Sequence, residues 1–262
     1  MERIGLQMYT LRKVTETPES FEKALEKAAS IGYRFVQAKC PAYLTTAEYK
    51  ALLDRYGLRV DTLRVNMDKM EAEIEKTVRD SEILGTGAVR VESMNAELAH
   101  SPEGFLKQAE MMEKNGAFMR KHGLRLWYHF HAFEFINFPN GNRGIDILLN
   151  NTSKENVWFQ PDLFWLTAAG TEASDSIKMF AGRAVSVHVK DYQIIDRTGV
   201  MEHIPHAFAP VGCGNLNWKR IIPAVREISI DSFVVEQDEC RDDPFACIET
   251  SYRNLRKMGI EG

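Results

Sequence analysis

The four cysteines, Cys40, Cys213, Cys240 and Cys247, contain no CxxC spacing. That removes the usual zinc-finger and thioredoxin-like signatures and predicts reduced thiols. Clustered basic charge is also missing. The 33 Lys and Arg form no dense cluster and are outnumbered by 37 Asp and Glu, leaving a net charge of −4. Binding a phosphate backbone needs a basic patch, so no nucleic-acid partner is expected. No window reaches the ~20 apolar residues of a membrane helix, so no membrane partner is expected. The opening MERIGLQMYT has no basic stretch followed by an apolar run. No signal peptide and a cytoplasmic location are therefore expected. No GxGxxG follows the first apolar segment, which weakens a dinucleotide-binding reading.

The chain does have length and periodicity. Its 262 residues, 44% hydrophobic and 27% charged, can bury a core without staples and are expected to form one domain, 1–262. Short β-branched segments at 3–8, 34–39, 58–65, 87–92, 124–131, 157–162, 185–190 and 232–237 predict strands. Amphipathic stretches near 18–31, 46–56, 68–84, 102–122, 143–150, 172–181, 217–228 and 244–258 predict helices. Start signals agree. Thr17-Pro18, Ser101-Pro102 and Asp243-Pro244 place a cap residue before Pro, and Thr45 with Glu48 forms a capping box. Gly32, Gly57, Gly85 and Gly123 end helices. Eight strand–helix units in this length predict an α/β fold, a (β/α)8 TIM barrel, over an open doubly wound sheet.

Barrel enzymes build their sites at the C-terminal strand ends. Those ends read Gln7-Met8-Tyr9, Gln37-Ala38-Lys39, Arg90-Val91-Glu92, His129-Phe130-His131 with Glu134 beyond, Gln160-Pro161-Asp162, His188-Val189-Lys190-Asp191 and Glu236-Gln237-Asp238-Glu239. Five of the seven histidines, His129, His131, His188, His203 and His206, fall at these ends or on the loop after strand 7. Imidazole and carboxylate together bind divalent transition metals. Period two places His129 with His131, His188 with Lys190, and Glu236 with Asp238 on shared strand faces. Glu236 ends the apolar run Ser-Phe-Val-Val, and a buried carboxylate there calls for a cation or donors. Each of these has a plainer reading. A strand-end His is often only hydrogen-bonded, Asp162 could simply cap a helix, and the tryptophans could be barrel packing, with Trp165 placed to line the mouth.

The phrases IGLQMYTLR, SIGYRFVQ, GLRLWYHFHAFEF, FQPDLFWLTAAG, VSVHVKDY, VGCGNLNW and FVVEQDE run from strand 1 to strand 8. In them the chain resembles the sugar phosphate isomerase/epimerase family of xylose isomerase-like TIM barrels, which includes ketose 3-epimerases, inosose dehydratases and relatives of endonuclease IV. The resemblance implies one divalent metal ion (Mn, Co, Zn or Mg), held by Glu, Asp, His and Glu from strands 5 to 8. Asp162, His188 and Glu236 match three of those positions. The strand-5 Glu position holds His129, so either His129 replaces the ligand or Glu134 reaches back to it. Gln37 stands where many relatives have Glu.

The resemblance further implies metal-dependent proton abstraction next to the carbonyl of a sugar or keto-sugar. Glu236 is then ligand and catalytic base, and Glu134 or His131 the second acid/base. Lys190, Asp191, His203, His206 and Trp165 are expected to contact substrate, with loop 192–216 as a lid. A small-molecule carbohydrate is the expected partner, and a homodimer is left open. Rival readings are a lyase or dehydratase of a 3-keto-glycoside or inosose, phosphodiester cleavage in the manner of endonuclease IV, and a non-catalytic sugar-binding barrel without metal.

Overall fold

Arg3–Gln7 (β1) pairs in parallel with Phe35–Gln37 (β2) on one side and Ser232–Val235 (β11) on the other, so the first and last strands of the chain are neighbours. That pairing closes a barrel. The structure, a computed structural model, describes residues 2–139, 141–195 and 206–261. Two parallel sheets form the wall. One runs β3-β2-β1-β11-β8 and the other β4-β5-β6-β7, with β3 Arg59–Val60, β4 Leu63–Arg64, β5 Ala88–Val91, β6 Arg125–His129, β7 Val157–Gln160 and β8 Ser186–Val189. The seam between β7 and β8 is held by Phe159 N donating to Arg183 O at 2.7 Å, by His188 N donating to Pro161 O at 2.8 Å, and by an Asp162–His188 bridge. The expected (β/α)8 barrel is the fold.

The third stave departs from the single strand expected over 58–65. It breaks at Asp61-Thr62, so β3 pairs with β2 and β4 with β5. Each half thus follows a different neighbour as the wall turns, while Thr86 Oγ1 donates to Asp61 O at 2.6 Å inside the break.

The connecting helices are α1 Pro18–Ile31, α2 Thr46–Arg55, α3 Ile74–Leu84, α4 Pro102–Lys121, α5 Gly144–Asn150, α6 Leu163–Ala168, α7 Ala173–Ser176, α8 Trp218–Glu227 and α9 Pro244–Lys257. Their caps form as the sequence predicts. Thr17, Thr45, Ser101 and Asp243 each accept from backbone N–H groups of the first turn. Gly85 and Gly123 take φ of 70° and 75°, a conformation in which a Cβ is strained. The helix expected over 172–181 is the short α7 followed by a 3-10 turn at Ile177–Phe180, and a further helix, α6, precedes it from the Asp162 cap.

Alternation divides the barrel strands into two faces. Leu126, Tyr128, Phe130, Phe159, Val187 and Val189 are buried apolar residues, and Tyr128 and Phe130 stack edgewise or flat with Phe159 and Phe180 under the helices. The opposite face is polar. Arg90 Nη1 donates to Gln160 Oε1 at 3.0 Å and Gln160 Nε2 to Ser186 Oγ at 2.9 Å. This buried ladder forms the floor on which the site rests. Among the described residues no helix is long and apolar enough to cross a membrane.

Candidate metal centre

Four side chains converge at the C-terminal rim. His129 ends β6, Asp162 follows β7, His188 lies in β8 and Glu236 follows β11. Each offers one ligand atom, and these atoms all lie within 4.8 Å of one another. Register explains the convergence. His129 pairs with Gln160, Asp162 bridges to His188, and His188 sits opposite Val234, one strand period before Glu236.

The orientation of each group is set by its neighbours. Gln37 Nε2 donates to Asp61 Oδ2 at 3.0 Å, which turns Gln37 Oε1 towards His188 Nε2 at 2.8 Å. A carbonyl oxygen can only accept, so the His188 proton resides on Nε2 and the lone pair on Nδ1. That Nδ1 lies 2.9 Å from Glu236 Oε2 and 3.9 Å from Asp162 Oδ2. His129 Nδ1 lies 3.3 Å from Gln160 O, so by the same argument Nε2 is its free atom. Asp162 uses Oδ1 to cap α6, accepting from Phe164 N at 2.8 Å and Trp165 N at 3.1 Å, which leaves Oδ2. It is both the helix cap and a cage member.

Asp162 Oδ2, His188 Nδ1 and Glu236 Oε2 are all buried without a hydrogen-bond partner. Three orphaned acceptors facing one point are costly unless a cation meets them. Two imidazoles and two carboxylates suit a four-coordinate divalent ion, so the residues fit the metal that the resemblance implies. Burial, with His188 and His131 beside it, holds the His129 imidazole well below its usual range and therefore neutral. Burial opposes the charge of Glu236, but Lys190 outweighs it and holds its carboxyl well below the usual range.

The cage opens into a cavity of about 540 Å³ lined by Gln7, Tyr9, Arg64, Glu92, His131 and Trp165, among others. The His131 ring lies 5.0 Å from that of His129 and 5.2 Å from that of Trp165. Burial, then Lys190, pushes the His131 imidazole down to about 4. Glu92 went unread as a site residue. It pairs with Arg90 at 2.7 Å and with Arg64 at 3.8 Å, and despite burial Arg90 keeps its carboxyl below the usual range. Its strand-end position was a signal, but the cross-strand pairing that fixes it was not.

Three expected site residues are placed otherwise. Glu134 stays out of the cage. Its Oε1 accepts from Tyr128 Oη at 2.6 Å and its Oε2 from His131 N at 2.8 Å, and burial pushes its carboxyl up to about 7. It braces the backbone of the His131 turn. Asp191, expected against substrate, is fully buried and accepts from the backbone N–H groups of Tyr192, Gly212, Gly214 and Leu216 and from Trp218 Nε1. It bolts the end of the expected lid to the barrel. Lys190 does line the cavity, but its ammonium lies 3.3 Å from Asp162 Oδ2, 3.1 Å from Glu236 Oε2 and 3.0 Å from Asp238 Oδ2. At the loop expected over 192–216, Asp191–Ile194 (β9) pairs antiparallel with His206–Ala209 (β10). His203 lies outside the described residues, and His206 is described only as the backbone partner of Ile194.

Fold and site together define a class, parallel barrels with a His2Asp-Glu cage at the carboxyl rim that could hold a metal ion. The chain belongs to the xylose isomerase-like TIM barrel family, whose model matches residues 25–258. It is similar in structure to a sugar phosphate isomerase/epimerase from Parabacteroides distasonis, with TM-score 0.79 and 20% identity over 97% of this chain and 93% of that one. It is similar also to the IolI protein with a binding zinc atom, with TM-score 0.74 and 13% identity over 98% of this chain and 97% of the other. A third similar structure is the probable 3-DHS dehydratase AsbF of Bacillus anthracis, with TM-score 0.71 and 14% identity over 97% and 98% of the two chains. No curated protein matches.

Proposed function

We propose that this chain is a divalent-metal-dependent isomerase or epimerase that moves a proton next to the carbonyl of a sugar or keto-sugar. The observation that carries the reading is the cage itself, with the unpartnered Asp162 Oδ2, His188 Nδ1 and Glu236 Oε2, and with His129 and Glu236 lining the cavity. His129, Asp162, His188 and Glu236 would hold the ion, and a zinc-binding barrel of similar shape supports this. A divalent ion supplies Lewis-acid polarisation of a carbonyl.

The chain's own residues do the rest. Glu236 is ionised, reaches the cavity and takes the proton. His131, neutral and against Trp165, stands three staves away as the second proton carrier. Trp165 and Tyr9 line the cavity as apolar surface for the C–H groups of a carbohydrate, and the Glu92–Arg90 pair offers polar atoms to its hydroxyls.

A lyase is the second reading. His129 stands where relatives use a second carboxylate, and Glu134 is turned into the core. Elimination beside a keto function needs a base on one face only, which Glu236 provides. The similarity to a probable dehydratase supports the same reading.

Incubating the Mn2+-loaded protein with a panel of ketoses, keto-glycosides and inososes in D2O tests both. Deuterium entering at the carbon next to the carbonyl, with an isomeric product, supports the isomerase. Loss of water or of a β-substituent supports the lyase. A protein that binds metal yet exchanges no proton with any of them refutes both and leaves a sugar-binding barrel.

A further inference from the structure

Lys190 stands two residues beyond His188 on the same strand face, with 2% of its surface exposed. A buried ammonium must be balanced, and three carboxylates surround it. Only one of them takes its protons. Both oxygens of Asp238 accept hydrogen bonds from Nζ, at 3.2 and 3.0 Å. Asp162 Oδ2 and Glu236 Oε2 lie 3.3 and 3.1 Å away, yet neither has a hydrogen-bond partner. The ammonium lends these two oxygens its charge while leaving their lone pairs free. The ring faces of Trp165 and Phe208, with centroids 5.2 and 5.9 Å from Nζ, flank it further.

We propose that Lys190 is an internal counter-cation of the cage and sets how tightly the cage holds its metal, with Asp238 as the seat that draws the ammonium away from the ligands. The proposal rests on the metal reading of the site. Three carboxylates and one ammonium leave two negative charges, which one divalent ion balances. Without the ion, Lys190 keeps Asp162 and Glu236 from repelling each other. With the ion in place, the same ammonium repels it across the oxygens they share. Lys190 is thus a positioning residue, stabilising the empty cage at a cost in metal affinity.

Two substitutions separate this from a merely structural role, because they act in opposite directions. Lys190→Met removes the competing cation and leaves three bare carboxylates, so the ion binds more tightly. Asp238→Asn keeps the ammonium but removes the carboxylate that aligns its protons. Lys190 then turns to Asp162 and Glu236, and the ion binds less tightly. If Lys190 and Asp238 served only as scaffolding, both changes would loosen the site.

The test is calorimetric titration of the chelator-stripped full chain with Mn2+, wild type against the two variants, together with thermal melts in chelator and in excess Mn2+. Lys190→Met is expected to lower Kd about tenfold or more and Asp238→Asn to raise it by a similar factor. The melting temperature of Lys190→Met should fall in chelator and rise on Mn2+ addition by more than that of wild type. If Lys190→Met folds only in the presence of Mn2+, that supports the counter-cation role, and Asp238→Asn then decides the sign. Equal or weaker binding in Lys190→Met, or unchanged binding in Asp238→Asn, overturns the role of Lys190 while leaving the metal site standing. A wild-type chain that takes up no divalent ion overturns the metal reading itself.

Discussion

Gln37 and His188, 151 residues apart, meet at 2.8 Å through Oε1 and Nε2, and Asp61 holds the far end of the Gln37 amide at 3.0 Å. This contact selects which histidine nitrogen faces the cage. Replacing Gln37 with Leu removes the selection without touching a ligand. Metal affinity is expected to fall about 10- to 100-fold while the circular dichroism spectrum stays that of wild type. Unchanged affinity by Mn2+ titration would show that the His188 ring needs no outside support.

Asp162 has two tasks on two oxygens, and they can be separated. Asp162→Asn keeps an oxygen for Phe164 N and Trp165 N, so the helix cap survives while the charge towards the cage is lost. Metal content should drop with little change in melting temperature. Asp162→Ala should lose the metal and also about 1 kcal/mol of stability from the missing cap. Equal stability in the two variants, read from urea unfolding, would mean the cap contributes nothing.

Glu134 predicts a pH dependence. Its folded pKa of about 7 lies above the ordinary 4.5, so the folded state favours the protonated form. Its contribution is fully present below pH 4.5 and is lost as pH rises through 7. Glu134→Gln does not titrate, keeps an acceptor for His131 N and can donate to Tyr128 Oη. The stability of wild type minus that of Glu134→Gln should therefore fall between pH 4.5 and 7.5, by up to roughly 3 kcal/mol. Metal affinity should be the same in both proteins. A flat difference curve removes the buried titration, and collapse of metal binding would make Glu134 a ligand.

Asp191 separates structure from substrate contact. Asp191→Ala orphans four backbone donors and the Trp218 indole, and should cost about 3 kcal/mol or more of stability. The protein that remains folded should bind metal like wild type. Unaltered stability with a raised KM would restore the substrate role expected from sequence.

Much of the fold was legible in the chain because its signals are local. Period-two and period-3.6 patterns, Thr17, Ser101 and Asp243 before their prolines, and Gly85 and Gly123 after their helices each act over a few residues. These set the strand–helix alternation. The strand ends then placed His129, Asp162, His188 and Glu236 at one rim, because only there does a parallel barrel bring distant residues together. Tertiary structure decided the contacts that no spacing encodes. The break at Asp61-Thr62 follows from two neighbours pulling one stave in different directions. Glu134 could be read as reaching the cage or not, and the fold turned it to Tyr128 and the His131 backbone, five residues past His129. Lys190 and Asp191 are adjacent in sequence and alternate across the strand. One faces the carboxylates of the cage and the other the amides of the returning loop. Sequence determined that both would be polar at a strand end, but their partners are brought to them only when the barrel closes.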